Sequence, residues 1–261
     1  MRQFVVAMII VFACSFSMTA LADEEPREQI WKKINQTSDR ILQLVKSDGL
    51  EEAKQLLDYF ATLFFELDFQ EEKITMNELR VITTTYERAK EAVTSIDMPS
   101  QERIYRVTSF RLAVDAISNE SNPLWLHSEE KMMKFIDDME GALKKGDPQS
   151  FQHRLNEFLR YFEVIRPALL IDLKSEQFQR IQSQVKFLEN KRNELDANIL
   201  ISHLQLMEEE WTNVYKRLKE DATDPSLWWV ILTIGSMITL SLSYVGWKKY
   251  KAEKQKLRAK E

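Results

Sequence analysis

The chain has 261 residues with 36 basic and 41 acidic side chains, and the charge is unevenly placed. Residues 23–226 carry 28 basic against 39 acidic side chains, a net of −11, whereas 248–261 carry seven basic against two acidic. Phosphate backbones require clustered cation, so this acidic balance argues against nucleic acid as a partner of the region, and none is expected. Glycine is scarce: only Gly49, Gly141 and Gly146 fall between 23 and 226, too few for the tight turns of a sheet protein. The composition is that of an all-α fold.

In chain order, Met1-Arg2-Gln3 is followed by an apolar run from Phe4 to Phe16 and then by Ala20-Leu21-Ala22. That order is a secretory signal peptide over 1–22, cut before Asp23. An uncleaved anchor and a lipoprotein signal on Cys14 are the alternatives. Cys14 is the single cysteine, so cleavage leaves no thiol for a disulfide or a cysteine metal site.

A first amphipathic helix is expected over 27–48, with Ile30, Ile34, Ile41, Leu44 and Val45 recurring on one face beside Trp31. Gly49, free to take positive φ, is its expected stop. A second helix starts at once, turning Leu50, Ala53, Leu56, Leu57, Phe60, Phe64 and Leu67 inward, so the two form an antiparallel hairpin. A third covers 74–96, with Leu79, Ile82, Tyr86, Ala89 and Val93 in register, until Asp97-Met98-Pro99 breaks it. Ser100 is the expected N-cap of a fourth, on which Ile104, Val107, Val114 and Ile117 share a face. The polar run from Asn119 to Pro123 is a linker.

After it the order recurs. Helices are expected over 128–145 (Met132, Ile136, Met139, Leu143) and over 148–165, ending near Pro167 (Phe151, Leu155, Phe158, Phe162). Two more follow, over 173–189 (Phe178, Ile181, Val185, Leu188) and 194–221 (Leu200, Leu204, Met207, Trp211, Val214, Leu218). Shifted by 98 positions, Ala53, Leu57, Phe60 and Phe64 fall on Phe151, Leu155, Phe158 and Phe162. Residues 27–119 and 124–222 thus read either as two copies of one four-helix unit or as one continuous eight-helix bundle.

Chemistry is harder to find. His127, His153 and His203 are the only histidines, and none has the spacing of a zinc hydrolase. His153 and Glu157 lie one turn apart, a spacing shared by metal pairs and by ordinary solvated contacts. There is no glycine-rich phosphate loop and no nucleophile elbow. We therefore assign no catalytic, cofactor-binding or metal residues and do not expect an enzyme. Glu51-Glu52, Glu71-Glu72, Glu129-Glu130 and Glu208-Glu209-Glu210 read as charged faces and helix N-termini. Asn35-Gln36-Thr37 and Asn119-Glu120-Ser121 match the glycosylation sequon, a motif frequent by chance. In the aromatic cluster Phe60 and Phe64 belong to the core stripe, while Phe65 and Phe69 lie off it and form a candidate partner surface.

Residues 227–247, LWWVILTIGSMITLSLSYVGW, are 21 positions without charge or proline. At about 1.5 Å per residue they match a hydrocarbon core of about 30 Å as a transmembrane helix. Trp228 and Trp229 mark one interface and Tyr244, Trp247 and Tyr250 the other; the basic tail 248–261 is expected in the cytoplasm. The domain at 23–226 is then extracytoplasmic and the protein single-pass. Gly235, Thr239, Ser243 and Gly246 share one helix face, a candidate contact for self-association or for another membrane protein.

The stretch at 224–251, DPSLWWVILTIGSMITLSLSYVGWKKYK, resembles the YpjB family of sporulation proteins from Bacillus-type bacteria. KSDGLEEAKQLLDYFATLF at 46–64 and the layout of signal, helical region, membrane helix and basic tail are similar too. The resemblance implies an association with spore formation and carries no catalytic residue. The expectation is a membrane-tethered protein-interaction module without a cofactor. The alternatives are an accessory subunit of a multi-pass membrane protein and an envelope-modifying enzyme.

Overall fold

A computed structural model describes residues 26–119, 122–193, 196–221 and 225–258, giving only the backbone at 26–28, 220–221, 225–230 and 251–258. The signal segment with its cleavage point, and Glu120-Ser121 of the second sequon, lie outside the described residues. All regular structure among the described residues is helical: α1 (Pro26–Lys46), α2 (Leu50–Phe65), α3 (Met76–Thr94), α4 (Ser100–Ser118), a 3-10 turn (Leu124–Ser128), α5 (Glu129–Lys144), α6 (Pro148–Asp172), α7 (Ser175–Lys191), α8 (Ala197–Asp221) and α9 (Pro225–Arg258). The chain divides into two compact units, one through Glu210 and one from Trp211 onward.

In the first unit α1 packs on α2 and α4, and α3 packs on α2 and α4, so four amphipathic stripes close around one core. Its centre is aromatic. Phe60 on α2 meets Phe110 on α4 edge-on at 4.8 Å between ring centres, and Tyr86 on α3 lies 6.1 Å from each. Full burial of a phenylalanine contributes about 1.5–3 kcal/mol, and these rings add favourable edge and offset geometry. Helices α5, α6 and α7 follow the same plan around Met132, Ile136, Phe151, Leu155, Phe158 and Ile181, all buried. α8 reaches α5 through Gln205 and Glu140, and α7 through Arg180 and Glu210.

The two hairpin turns are alike in their hydrogen bonds. Gly49 N–H donates to the Leu44 carbonyl and Asp48 N–H to Val45, as Asp147 N–H donates to Ala142 and Gly146 N–H to Leu143. The residue at positive φ is Gly146 (68°) in one turn and Asp48 (62°) in the other, not Gly49 as the sequence led us to expect. This bonding pattern puts the left-handed residue directly before the donor to the carbonyl five residues back, a place held by Asp48. Gly49 instead permits close approach: a Cβ there would sit 3.2 Å from Leu44 Cδ2.

Other boundaries shift for local reasons. α3 starts on a capping box in which Thr75 Oγ1 accepts from Glu78 N–H while the Glu78 carboxylate accepts from Thr75 N–H. Ser100 is the first residue of α4 rather than its N-cap; Pro99 holds that place without a side-chain bond. α6 does not end near Pro167 but runs to Asp172. Proline there gives up the N–H that would serve the Glu163 carbonyl, at a cost of about 3 kcal/mol. Buried Val164, Ile165, Ala168 and Leu169, with Leu170 and Ile171 packed on the first core, outweigh it. The 3-10 turn, which periodicity does not announce, buries Trp125, whose indole N–H donates to the Asp172 carboxylate.

α4 and α6 are the contact between the two helical groups, and α6 also touches α3. α4 is therefore buried on two faces, and its extra buried positions include three charged residues, Arg103, Arg111 and Asp115. Arg103 caps the end of α3, donating to the carbonyls of Ala92, Ser95, Ile96 and Met98. Arg111 lies 3.4 Å from Asp115 and donates to Asp39 and Asn35, while Asn35 donates to Ser118 Oγ at 2.6 Å. Asn35, the acceptor of the first sequon, is thus committed inside the fold. The other Asp115 oxygen accepts from Leu124 N–H, which ties the 3-10 turn to α4.

Beyond Trp211, α9 continues as one helix through 227–247 and on to Arg258, so the basic tail is helical as far as Arg258. Every described side chain from Ile231 to Tyr250 is exposed. Among the described residues no helix is long and apolar enough to cross a membrane. The side chains at 225–230, among them Trp228 and Trp229, are not part of that description.

Two outcomes follow from the buried charges. Arg103→Leu strands the end of α3 and is expected to lower the unfolding free energy by about 2–3 kcal/mol in denaturant melts; a loss below about 0.5 kcal/mol would contradict the capping role. Asp115 has its pKa raised, chiefly by burial, against the opposing pull of Leu124 N–H and Arg111 and with a small push from Asp39. A carboxyl with a raised folded-state pKa contributes stability that is present in acid and lost as pH rises through that pKa. Relative to Asp115→Asn, the native chain is therefore expected to gain stability as pH falls from neutral; parallel Tm–pH curves for the two would contradict this.

Candidate functional site

α3, α4 and α6 diverge at their solvent-facing edges, and a cavity of about 570 Å³ opens between them. A second, of about 200 Å³, continues it along α3 and α6 and shares Thr85 and Arg88 with the first. The capping box fixes where α3 begins, and Arg80, Thr84 and Arg88 then follow at four-residue intervals beside the buried stripe of Val81, Thr85 and Ala89. Opposite them α6 presents Arg160, Glu163 and Arg166, one turn apart, and α4 presents Glu102, Tyr105 and Arg106. Thr85 is buried but satisfied, donating to the Val81 carbonyl at 2.8 Å. Leu159, Val164, Pro167 and Leu170 make the floor apolar.

The groove is cationic inside an acidic domain, with five arginines facing three glutamates. Arg106 takes two of the glutamates: its Nε donates to Glu102 at 2.9 Å and its Nη1 to Glu91 at 2.6 Å. The Glu102 bond leads in holding the Arg106 pKa above its ordinary value. Arg166 Nε lies 3.2 Å from Glu163 yet is buried without a hydrogen bond, so that pair is held by charge and not by directed donation. Arg160 stands over Tyr105, 5.9 Å from the ring centre. Arg80, Arg88 and Arg160 have no carboxylate partner among the described residues and are exposed. Such a groove can hold carboxylates or other oxyanions through guanidinium forks.

The residues singled out from the sequence lie elsewhere. Phe65 is 74% exposed, while Phe69 packs at the edge of the first core; both rings flank Phe64, at 6.4 and 5.3 Å. Gly235, Thr239, Ser243 and Gly246 lie along α9, where a methyl group added at either glycine would meet nothing within 4 Å. His153 and Glu157 are 3.7 Å apart and solvent-facing, with Glu157 also bound by Arg154 at 2.8 Å. Among the described residues no group of three or more His, Cys, Asp or Glu is placed to hold a metal ion. Glu72 is more than a surface charge: it accepts from the Trp31 indole at 2.6 Å and fastens the α2–α3 loop to α1.

Sequence reading missed the groove because its residues come from three helices. The trace it leaves, Arg80-x₃-Thr84-x₃-Arg88 along one helix edge, with Glu91 one turn beyond Arg88, is faint but readable.

Comparison with known proteins gives two matches. The family model of the sporulation protein YpjB matches residues 31–259. The uncharacterised protein YpjB of Bacillus subtilis (strain 168) is 31% identical over 233 residues, covering 88% of each chain. No solved structure matches the chain.

Proposed function

The chain belongs to the sporulation protein YpjB family, and on that footing we propose that it is a membrane-tethered interaction protein of spore formation. Its helical domain stands outside the cytoplasm and α9 is the tether. The observation that carries this reading is the uncharged run at 227–247 inside an unbroken helix followed at once by Lys248, Lys249 and Lys251. Ile231, Leu232, Ile234, Ile238, Leu240 and Leu242 are all more than half exposed around that helix. Water disfavours such a surface by about 25 cal/mol per Å² of apolar area, whereas lipid accepts it from every side. The basic residues that follow the run and the signal expected at 1–22 support the same orientation. The large domain offers partners its surface, and catalysis is no part of the proposal.

The open face of Gly235, Thr239, Ser243 and Gly246 favours a second reading, in which the chain is an accessory subunit of a multi-pass membrane protein or pairs with itself. Thr239 already spends its hydroxyl on the Gly235 carbonyl at 2.8 Å, so contact through this face is steric and apolar.

Alkaline carbonate extraction of sporulating cells is expected to leave the full chain in the membrane pellet. External protease on protoplasts is expected to remove the domain at 23–226 and spare the tail. A soluble full-length chain, or a domain shielded from protease in intact protoplasts, would contradict the proposal. A leucine scan of 235–246 in a membrane association assay is expected to weaken pairing most at Gly235 and Gly246; equal signals at all positions would rule out contact through this face.

A further inference from the structure

We propose that the groove along α3, α4 and α6 binds an extended acidic peptide segment of a partner protein, a step that builds on the interaction reading above. The first argument is charge. Arg106 pairs with Glu91 and Glu102 and Arg166 with Glu163, so five arginines against three glutamates leave the lining at a net of +2, with Arg80, Arg88 and Arg160 as its exposed cations in a concave surface. Residues 23–226 as a whole carry a net of −11, so an acidic ligand is repelled by the domain at large and drawn to this groove. Unpaired arginines on a convex, mixed surface would be ordinary. Converging from two helices on a groove with an apolar floor, they form an anion site.

The second argument is length. The lining runs along α3 from Asn77 to Glu91, about 21 Å at 1.5 Å per residue. That matches six or seven residues of extended chain at about 3.3 Å each. Arg80 and Arg88 are eight residues apart, about 12 Å along the helix, the separation of carboxylates three or four positions apart on an extended peptide. Arg80 lines the smaller cavity, Arg160 the larger and Arg88 both, so each end of the groove offers two exposed guanidinium groups, one of them shared. A lone phosphate would use one end and leave the other empty. The floor of Leu159, Val164 and Leu170 suits the methylenes of glutamate side chains. Arginine clusters read acidic motifs in this way.

Calorimetric titration of the full-length protein in detergent micelles with a hexaglutamate peptide tests the proposal, with hexaglutamine as the neutral control. Hexaglutamate is expected to bind and hexaglutamine not. Arg88→Glu is expected to weaken binding tenfold or more, with a smaller loss for Arg88→Gln, which carries the test if the charge reversal perturbs the fold. Lys134→Glu makes the same charge change on an exposed residue of α5 outside the groove and is expected to alter affinity less than twofold. No binding of hexaglutamate, equal losses for Arg88→Glu and Lys134→Glu, or displacement of the peptide by equimolar inorganic phosphate would each overturn it. Membrane retention of Arg88→Glu, expected to be unchanged, separates a failure of the groove from a failure of the tether.

Discussion

α4 has no fully free face, and most of the helical domain is arranged by that constraint. It closes the first four-helix ring against α1 and α3 and also takes the side of α6, so it must bury residues that a surface helix would leave in water. Arg103, Arg111 and Asp115 are the result. Each is an expensive group to dehydrate, and each is matched to partners on another element: the open end of α3, the side chains of α1, and the 3-10 turn. Buried ion pairs seldom add much net stability, but removing one partner strands the other, so these three residues fix which surfaces meet.

The groove is a consequence of the same packing. α6 lies against α4 and α3 at once, and the furrow left where three helices diverge is lined by whatever their outer edges carry. Here those edges carry arginine. An acidic surface around a cationic furrow distinguishes ligands by charge before any contact is made, and the paired glutamates inside hold the neighbouring guanidinium groups in place.

The helices themselves were legible because period 3.6 is written in large apolar residues. All eight helical segments expected between 27 and 221 are present, and the stripe of Phe151, Leu155, Phe158 and Phe162 is buried. What escaped was set by tertiary context. Pro167 signals a break when read locally, but the core on both sides of it carries α6 five residues further. The turn at Asp48-Gly49 is legible in the sequence but its left-handed residue is not, because hydrogen-bond geometry rather than residue preference decides which position goes left-handed. Trp125, Arg103 and the arginine groove depend on contacts between distant segments, which no window along the chain contains.

The central claim is that the arginine groove of a membrane-held domain receives an acidic segment of another protein. A photocrosslinking amino acid placed at exposed Thr84, on the groove edge between Arg80 and Arg88, tests it in intact sporulating cells. The account requires an adduct whose attachment peptide, mapped by mass spectrometry, is rich in Asp and Glu, and which disappears with Arg88→Glu. An adduct on a neutral or basic peptide, or one that survives that substitution unchanged, would contradict it.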